Sequence, residues 1–160
     1  MKTIIQTIIF AALTMLPYSV FAQSGYTGAT DLDVKGIFIG GTYTKAQVQA
    51  KWGAPTKYWS NMSEFGLDEE YYYSNSLFRF SDSGIFVDFY IDTPDFPVFT
   101  KYNGGIKVGD TLSKLNALGL GTLVLQSDGS YYLWQNNSDD PLVFEHSNGV
   151  ITQIRFITYI

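Results

Sequence analysis

The sequence predicts an α+β fold: two tandem repeats, each a helix followed by a four-stranded antiparallel sheet, packed side by side. Three observations carry this expectation. The segment Gly36-Ile37-Phe38-Ile39-Gly40-Gly41-Thr42-Tyr43-Thr44-Lys45 returns as Gly105-Ile106-Lys107-Val108-Gly109-Asp110-Thr111-Leu112-Ser113-Lys114, an offset of 69 residues. Helix-start chemistry follows the opening in each copy. Period-two runs then end in paired hairpins around Asp82-Ser83-Gly84 and Ser147-Asn148-Gly149, where glycine supplies the positive φ that such turns need.

Residues 1–22 read as a signal peptide. Met1-Lys2 supplies a positive charge, an apolar run extends to Pro17, and Val20 and Ala22 occupy the −3 and −1 positions of a small-residue cleavage site. Gln6, Thr7, Thr14 and Pro17 interrupt the run, which argues against a membrane-spanning anchor. No cysteine stands at the cleavage site to take a lipid. The mature chain is therefore expected to be exported, periplasmic or extracellular, without a stable membrane anchor. Residues 23–35 form a lead-in.

The first repeat is placed at 36–93. Thr44 and Gln47 have capping-box spacing, in which the hydroxyl accepts from a free amide and Gln reaches back. Tyr43, Val48 and Trp52 suit one helical face, and Gly53 with Pro55 ends the helix. Strands follow near Thr56–Ser60, Glu70–Ser74 and Leu77–Phe80. In the last strand Ile85, Val87, Phe89 and Ile91 alternate with Phe86, Asp88, Tyr90 and Asp92. The Ile-x-Ile-Gly opening reads as a buried approach segment, since no Gly-rich run leads into Lys-Ser/Thr.

Residues 94–104 are read as a linker stiffened by Pro94 and Pro97, and 105–160 as the second repeat. Ser113 starts its shorter helix, with Leu115 and Leu118 apolar and Gly119 closing it. Strands are expected near Thr122–Gln126, Ser130–Gln135 and Leu142–Phe144. The last sets Val150, Thr152, Ile154 and Phe156 against Ile151, Gln153, Arg155 and Ile157. A unit of this size is marginal alone, so the copies should lean on each other.

Composition narrows function. The 160 residues carry 10 Lys+Arg against 15 Asp+Glu, a net charge of −5, one His and no Cys. With a pI near 4.6, no nucleic-acid partner is expected, because phosphate neutralisation needs clustered basic residues. Disulfides, thiolate nucleophiles and Cys-based metal sites are excluded. Asp88 and Asp92 share a face but stand about 13 Å apart along a strand, wider than the roughly 5–9.5 Å of glycosidase carboxyl pairs. Glu69 and Glu70 are adjacent and point apart. His146 falls in a hairpin turn. Asp128 and Asp139-Asp140 lack the alternating acid ladder of an EF-hand. No enzyme, cofactor or metal is expected.

The Ile-x-Ile-Gly-x-Thr-x-Thr/Ser-Lys opening, the Gly53-Ala54-Pro55-Thr56 break and the helix-then-sheet order resemble the β-lactamase-inhibitor-protein family of tandem folds. They are also similar to the small outer-membrane lipoproteins that assist β-barrel assembly, although the lipid-anchor Cys is missing. The resemblance implies sheets placed side by side into an aromatic-rich surface. No stretch matches an inhibitory loop, so β-lactamase inhibition is not carried over.

Phe86, Asp88 and Tyr90 should face away from the helix, as should Arg155 in the second copy, with Tyr72, Tyr132 and Trp134 adding aromatics. Tyr72 is taken as the outward member of Tyr71–Tyr73, although a one-residue slip would invert that assignment. Apolar residues on a solvent-facing sheet mark binding surfaces, and Tyr, Trp and Arg dominate interface energetics. These residues form a docking face for a protein or peptide partner, or they pack against each other or the other half. The same rings can also stack on a glycan, with Asp88, Asp92 and Asn136-Asn137 supplying hydrogen bonds.

Overall fold

Period-two runs, not helices, dominate this chain. The computed structural model describes residues 32–60, 67–100, 104–119, 123–134 and 140–156. The expected signal peptide, the Asn136-Asn137 loop, Asp139 and Ile157 lie outside these. Eleven strands occur among the described residues: β1 (Leu32–Val34), β2 (Ile37–Phe38), β3 (Lys57–Ser60), β4 (Leu67–Tyr73), β5 (Ser76–Ser81), β6 (Phe86–Ile91), β7 (Val98–Thr100), β8 (Leu123–Leu125), β9 (Tyr131–Trp134), β10 (Pro141–Ser147) and β11 (Val150–Phe156). The two helices are short, with 8 residues in α1 (Lys45–Trp52) and 6 in α2 (Leu112–Ala117).

The expected α+β architecture of two helix-backed repeats is therefore corrected to a mostly β fold. One continuous eight-stranded antiparallel sheet has the order β3-β4-β5-β6-β11-β10-β9-β8, and a separate three-stranded sheet has the order β2-β1-β7. Two pairings account for the difference. β6 pairs directly with β11 through Phe89–Phe156, Tyr90–Arg155 and Ile91–Ile154, so the large sheet has no internal edge. β1 pairs with both β2 and β7, drawing Val98–Thr100, within the stretch read as a linker, into a sheet. Strands of two or three residues are too short to display a period.

Helix α1 starts where its capping chemistry dictates. The Gln47 amide donates to Thr44 Oγ1 (3.3 Å), and the Thr44 amide donates to Gln47 Oε1 (2.8 Å). The helix delivers Trp52 into a ring cluster, 4.5 Å from Phe78, 5.7 Å from Phe86 and 5.6 Å from Phe96 between centroids. The indole N–H donates to the Val34 carbonyl (3.1 Å), so its burial leaves no polar atom unmatched. Helix α2 begins at Leu112, not at Ser113 as the spacing suggested. Thr111 is its N-cap and accepts from the Lys114 amide (3.2 Å), while Leu112 N–H is held by the Gly149 carbonyl (2.9 Å).

Both approach segments dock on the sheet through the same backbone bonds. Gly40 N–H donates to Phe86 O and Gly109 N–H to Ile151 O, each at 2.8 Å. In return, Phe86 N–H donates to Gly41 O (2.9 Å) and Ile151 N–H to Asp110 O (2.8 Å). Immediately beyond each contact the strand bulges. Arg79 pairs with Asp88 but Phe80 pairs with Phe86, leaving Val87 extra; Glu145 pairs with Gln153 but His146 with Ile151, leaving Thr152 extra. A bulge inserts one residue and reverses the alternation beyond it. Phe86 and Ile151 consequently turn inward with Phe89, Ile91, Ile154 and Phe156, and all six are buried in one core with the helices and the small sheet.

Candidate interaction face

Cross-strand register divides the large sheet into two faces, because directly opposed residues project to the same side. On the core side, Tyr71, Phe78, Phe89, Phe156, Leu142 and Leu133 follow one another in register across six strands. All are buried. On the opposite side runs a second row. Lys57 pairs with Tyr72, Tyr72 with Leu77, Leu77 with Tyr90 and Tyr90 with Arg155. From Arg155 it continues through Val143 and Tyr132 to Val124, and so spans all eight strands.

Beside it, Trp59, Glu70, Arg79 and Asp88 form a shorter row on the same side. Trp134 stands two residues from Tyr132 on β9, with their ring centroids 5.8 Å apart. Trp59 is 50% exposed, and Tyr90 and Trp134 are each 38% exposed.

The candidate residues thus come together on this face with one exception. Tyr72, Asp88, Tyr90, Tyr132, Trp134 and Arg155 lie on it. Phe86 does not. It is fully buried against Trp52 and stacked on Phe80 at 4.9 Å, because the Val87 bulge reverses the alternation that placed it beside Asp88. Tyr71 and Tyr73 are buried, leaving Tyr72 as the outward member of its run. Sequence reasoning also missed Lys57, Trp59 and Arg79. The signal for Arg79 was present, since a strand reading Phe78-Arg79-Phe80 must turn its charge away from both rings.

Several polar tips on the face are tied down, although the buried Gln153 Oε1 and Arg155 Nε have no hydrogen-bond partner among the described residues. Tyr72 Oη donates to Glu70 Oε2 (2.7 Å), and this bond to a carboxylate, aided by burial, raises the phenol's pKa. Gln153 Nε2 donates to Tyr90 Oη (2.6 Å), and Arg155 Nη2 lies 3.0 Å from Glu145 Oε1. Lys57 Nζ stands 4.7 Å from the Trp59 ring centroid and 5.2 Å from that of Tyr72, within cation–π range. Arg79 Nε donates to Asp88 Oδ1 (2.7 Å). Burial pushes the Asp88 carboxyl up to about 6, against the opposing pull of Arg79.

Glu69, Asp92 and Asp128 have structural engagements. Glu69 accepts from Tyr58 Oη (2.9 Å) and Tyr71 Oη (2.6 Å). Asp92 accepts from Ser76 Oγ (3.1 Å), and Asp128 from the amide and hydroxyl of Ser130. His146 lies in β10, not in the turn, with its ring 5.5 Å from that of Tyr131. Among the described residues no group of three His, Cys, Asp or Glu side chains is placed to hold a metal.

No protein-family model matches the chain, and no curated protein does. Among solved structures it is similar to an extracellular protein containing a SCP domain from Bacillus anthracis str. Ames, at 16% identity and a TM-score of 0.44. The likeness covers 75% of this chain and 44% of that one, and at this level it assigns neither fold nor function. No helix among the described residues is long and apolar enough to cross a membrane.

Proposed function

We propose that the chain is an exported, non-catalytic module that binds a protein or peptide partner through the outward face of its eight-stranded sheet. The observation that carries this reading is the in-register row holding Tyr72, Tyr90, Arg155 and Tyr132. Aromatic and arginine side chains supply most of the energy of protein interfaces, and an extended row suits a broad partner better than a small ligand. Hydrogen bonds hold Tyr72 on Glu70 and Tyr90 on Gln153, so little rotamer freedom is lost when a partner covers them. The Met1–Ala22 segment supports export.

Affinity capture from the native envelope or culture medium, with the wild type and a Tyr90→Ala/Tyr132→Ala/Trp134→Ala variant, tests the proposal. The expected result is a partner retained by the wild type and lost by the triple variant, with the variant still folded by circular dichroism. Equal capture by both would remove the face from the account. Saturable quenching of Trp59 and Trp134 fluorescence by one sugar on a glycan panel would replace the protein partner with a carbohydrate.

A further inference from the structure

The two edges of the large sheet are chemically unlike. β3 carries Lys57, and Lys45 stands 3.3 Å over the Tyr58 ring. Edge lysines discourage the addition of another strand. β8 reads Leu123-Val124-Leu125 with no charge. Val124 is 41% and Leu125 59% exposed. Among the described residues β8 pairs only with β9.

The turn sets the phase of the β8 edge. Gln126 N–H donates to Ser130 O (2.9 Å), which makes Gln126–Ser130 a hydrogen-bonded pair. Such pairs alternate along an antiparallel ladder. Val124 therefore exchanges its bonds with Tyr132, and Leu123 and Leu125 direct their N–H and C=O groups to the open side.

Leu-Val-Leu is its own complement. Antiparallel pairing about a twofold axis through Val124 sets Leu123 opposite Leu125 of a second copy, and Leu125 opposite its Leu123. The outward backbone groups of both strands then meet, each Leu finds a Leu, and the two Val124 side chains meet on the axis with no charge buried. Pairing of this kind is isologous and closes at two copies. We infer that the chain forms a homodimer by antiparallel pairing of its β8 edges, joining two eight-stranded sheets across a twofold axis. The outward row that ends Tyr132–Val124 continues into Val124–Tyr132 of the second copy. The dimer stands independently of what that row binds.

A contact of three strand residues falls below about 1,000 Å² and belongs to the weak class of interfaces. Sedimentation equilibrium from about 10 µM to about 1 mM, concentrations at which mass action populates a weak complex, should show a monomer–dimer equilibrium. Leu125→Lys should sediment as a monomer with an unchanged circular dichroism spectrum. A second measurement uses the absence of native cysteine. On the axis, Val124 and its symmetry mate form a non-hydrogen-bonded pair with Cα atoms about 4.5 Å apart, a separation that a disulfide spans. Val124→Cys should cross-link under mild oxidation at least tenfold faster than Phe38→Cys, a comparably exposed site on the small sheet. A wild type that stays monomeric throughout the range, or equal cross-linking of the two cysteine variants, overturns the dimer.

Discussion

Arg79 on β5 and Asp88 on β6 face each other across the ladder, with Nε 2.7 Å from Oδ1, the carboxylate nearly buried and the guanidinium partly in solvent. The pair sits in the row that also holds Glu70, whose charge adds to burial in opposing ionisation of Asp88. A charge held this way restrains the sheet surface without being a strong source of stability.

Its pH signature follows from that balance. The Asp88 carboxyl titrates near 6 when folded, against 3.8 as its ordinary value. Between these values the folded chain binds more protons than the unfolded one, so this residue's contribution falls as pH rises. Relative to Asp88→Asn, the wild type should gain on the order of 1–3 kcal/mol as pH falls from about 7 to about 4. Urea unfolding of both proteins across that range checks it; a flat difference, or one of opposite sign, contradicts the account.

Phe86 and Tyr90 lie on the same strand but on opposite faces. Phe86→Ala opens the ring cluster around Trp52 and should cost about 3–5 kcal/mol. Tyr90→Ala removes a partly exposed ring and one hydrogen bond and should cost about 1 kcal/mol or less. Denaturant midpoints at equal m-value decide between this ordering and the plain alternation that would make both residues surface.

Two hairpin glycines have nearly the same φ, +76° at Gly84 and +78° at Gly149, yet differ in surroundings. A Cβ at Gly84 would lie 2.5 Å from the Tyr43 carbonyl oxygen, whereas one at Gly149 meets nothing within 4 Å. Gly149→Ala should cost only the left-handed strain, about 1–2 kcal/mol. Gly84→Ala should cost clearly more, because the Tyr43–Gly84 docking bond must also give way. Thermal melts of the two variants compare them directly.

Thr44→Ala removes the acceptor for the Gln47 amide and half of the capping box. A loss of about 1 kcal/mol is expected. Thr44→Ser should restore most of it, and failure of that rescue would shift the cost from the cap to the threonine methyl group.

Local chemistry was legible where it acts over a few residues. The Thr44–Gln47 box, the glycine turns at 84 and 149 and the outward placement of Tyr90 and Arg155 all follow from spacing alone, because each depends on neighbours within one turn or one strand. The start of α2 falls one residue before the expected Ser113, because Thr111 and Ser113 are both competent caps. The bond from Leu112 to Gly149, far along the chain, favours the earlier one.

Sequence by itself determined the alternating runs, the turn positions and the residue types available for a sticky surface, since these arise from backbone sterics and side-chain chemistry. Tertiary structure decided which strands became neighbours, and with that the mostly β architecture. β6 meets β11 across more than sixty residues of chain, and β1 captures β7; no local signal encodes either pairing. It also decided the facing of Phe86. A single extra residue, Val87, reverses the alternation, next to the Phe86 backbone that Gly40 and Gly41 hydrogen-bond from outside the strand.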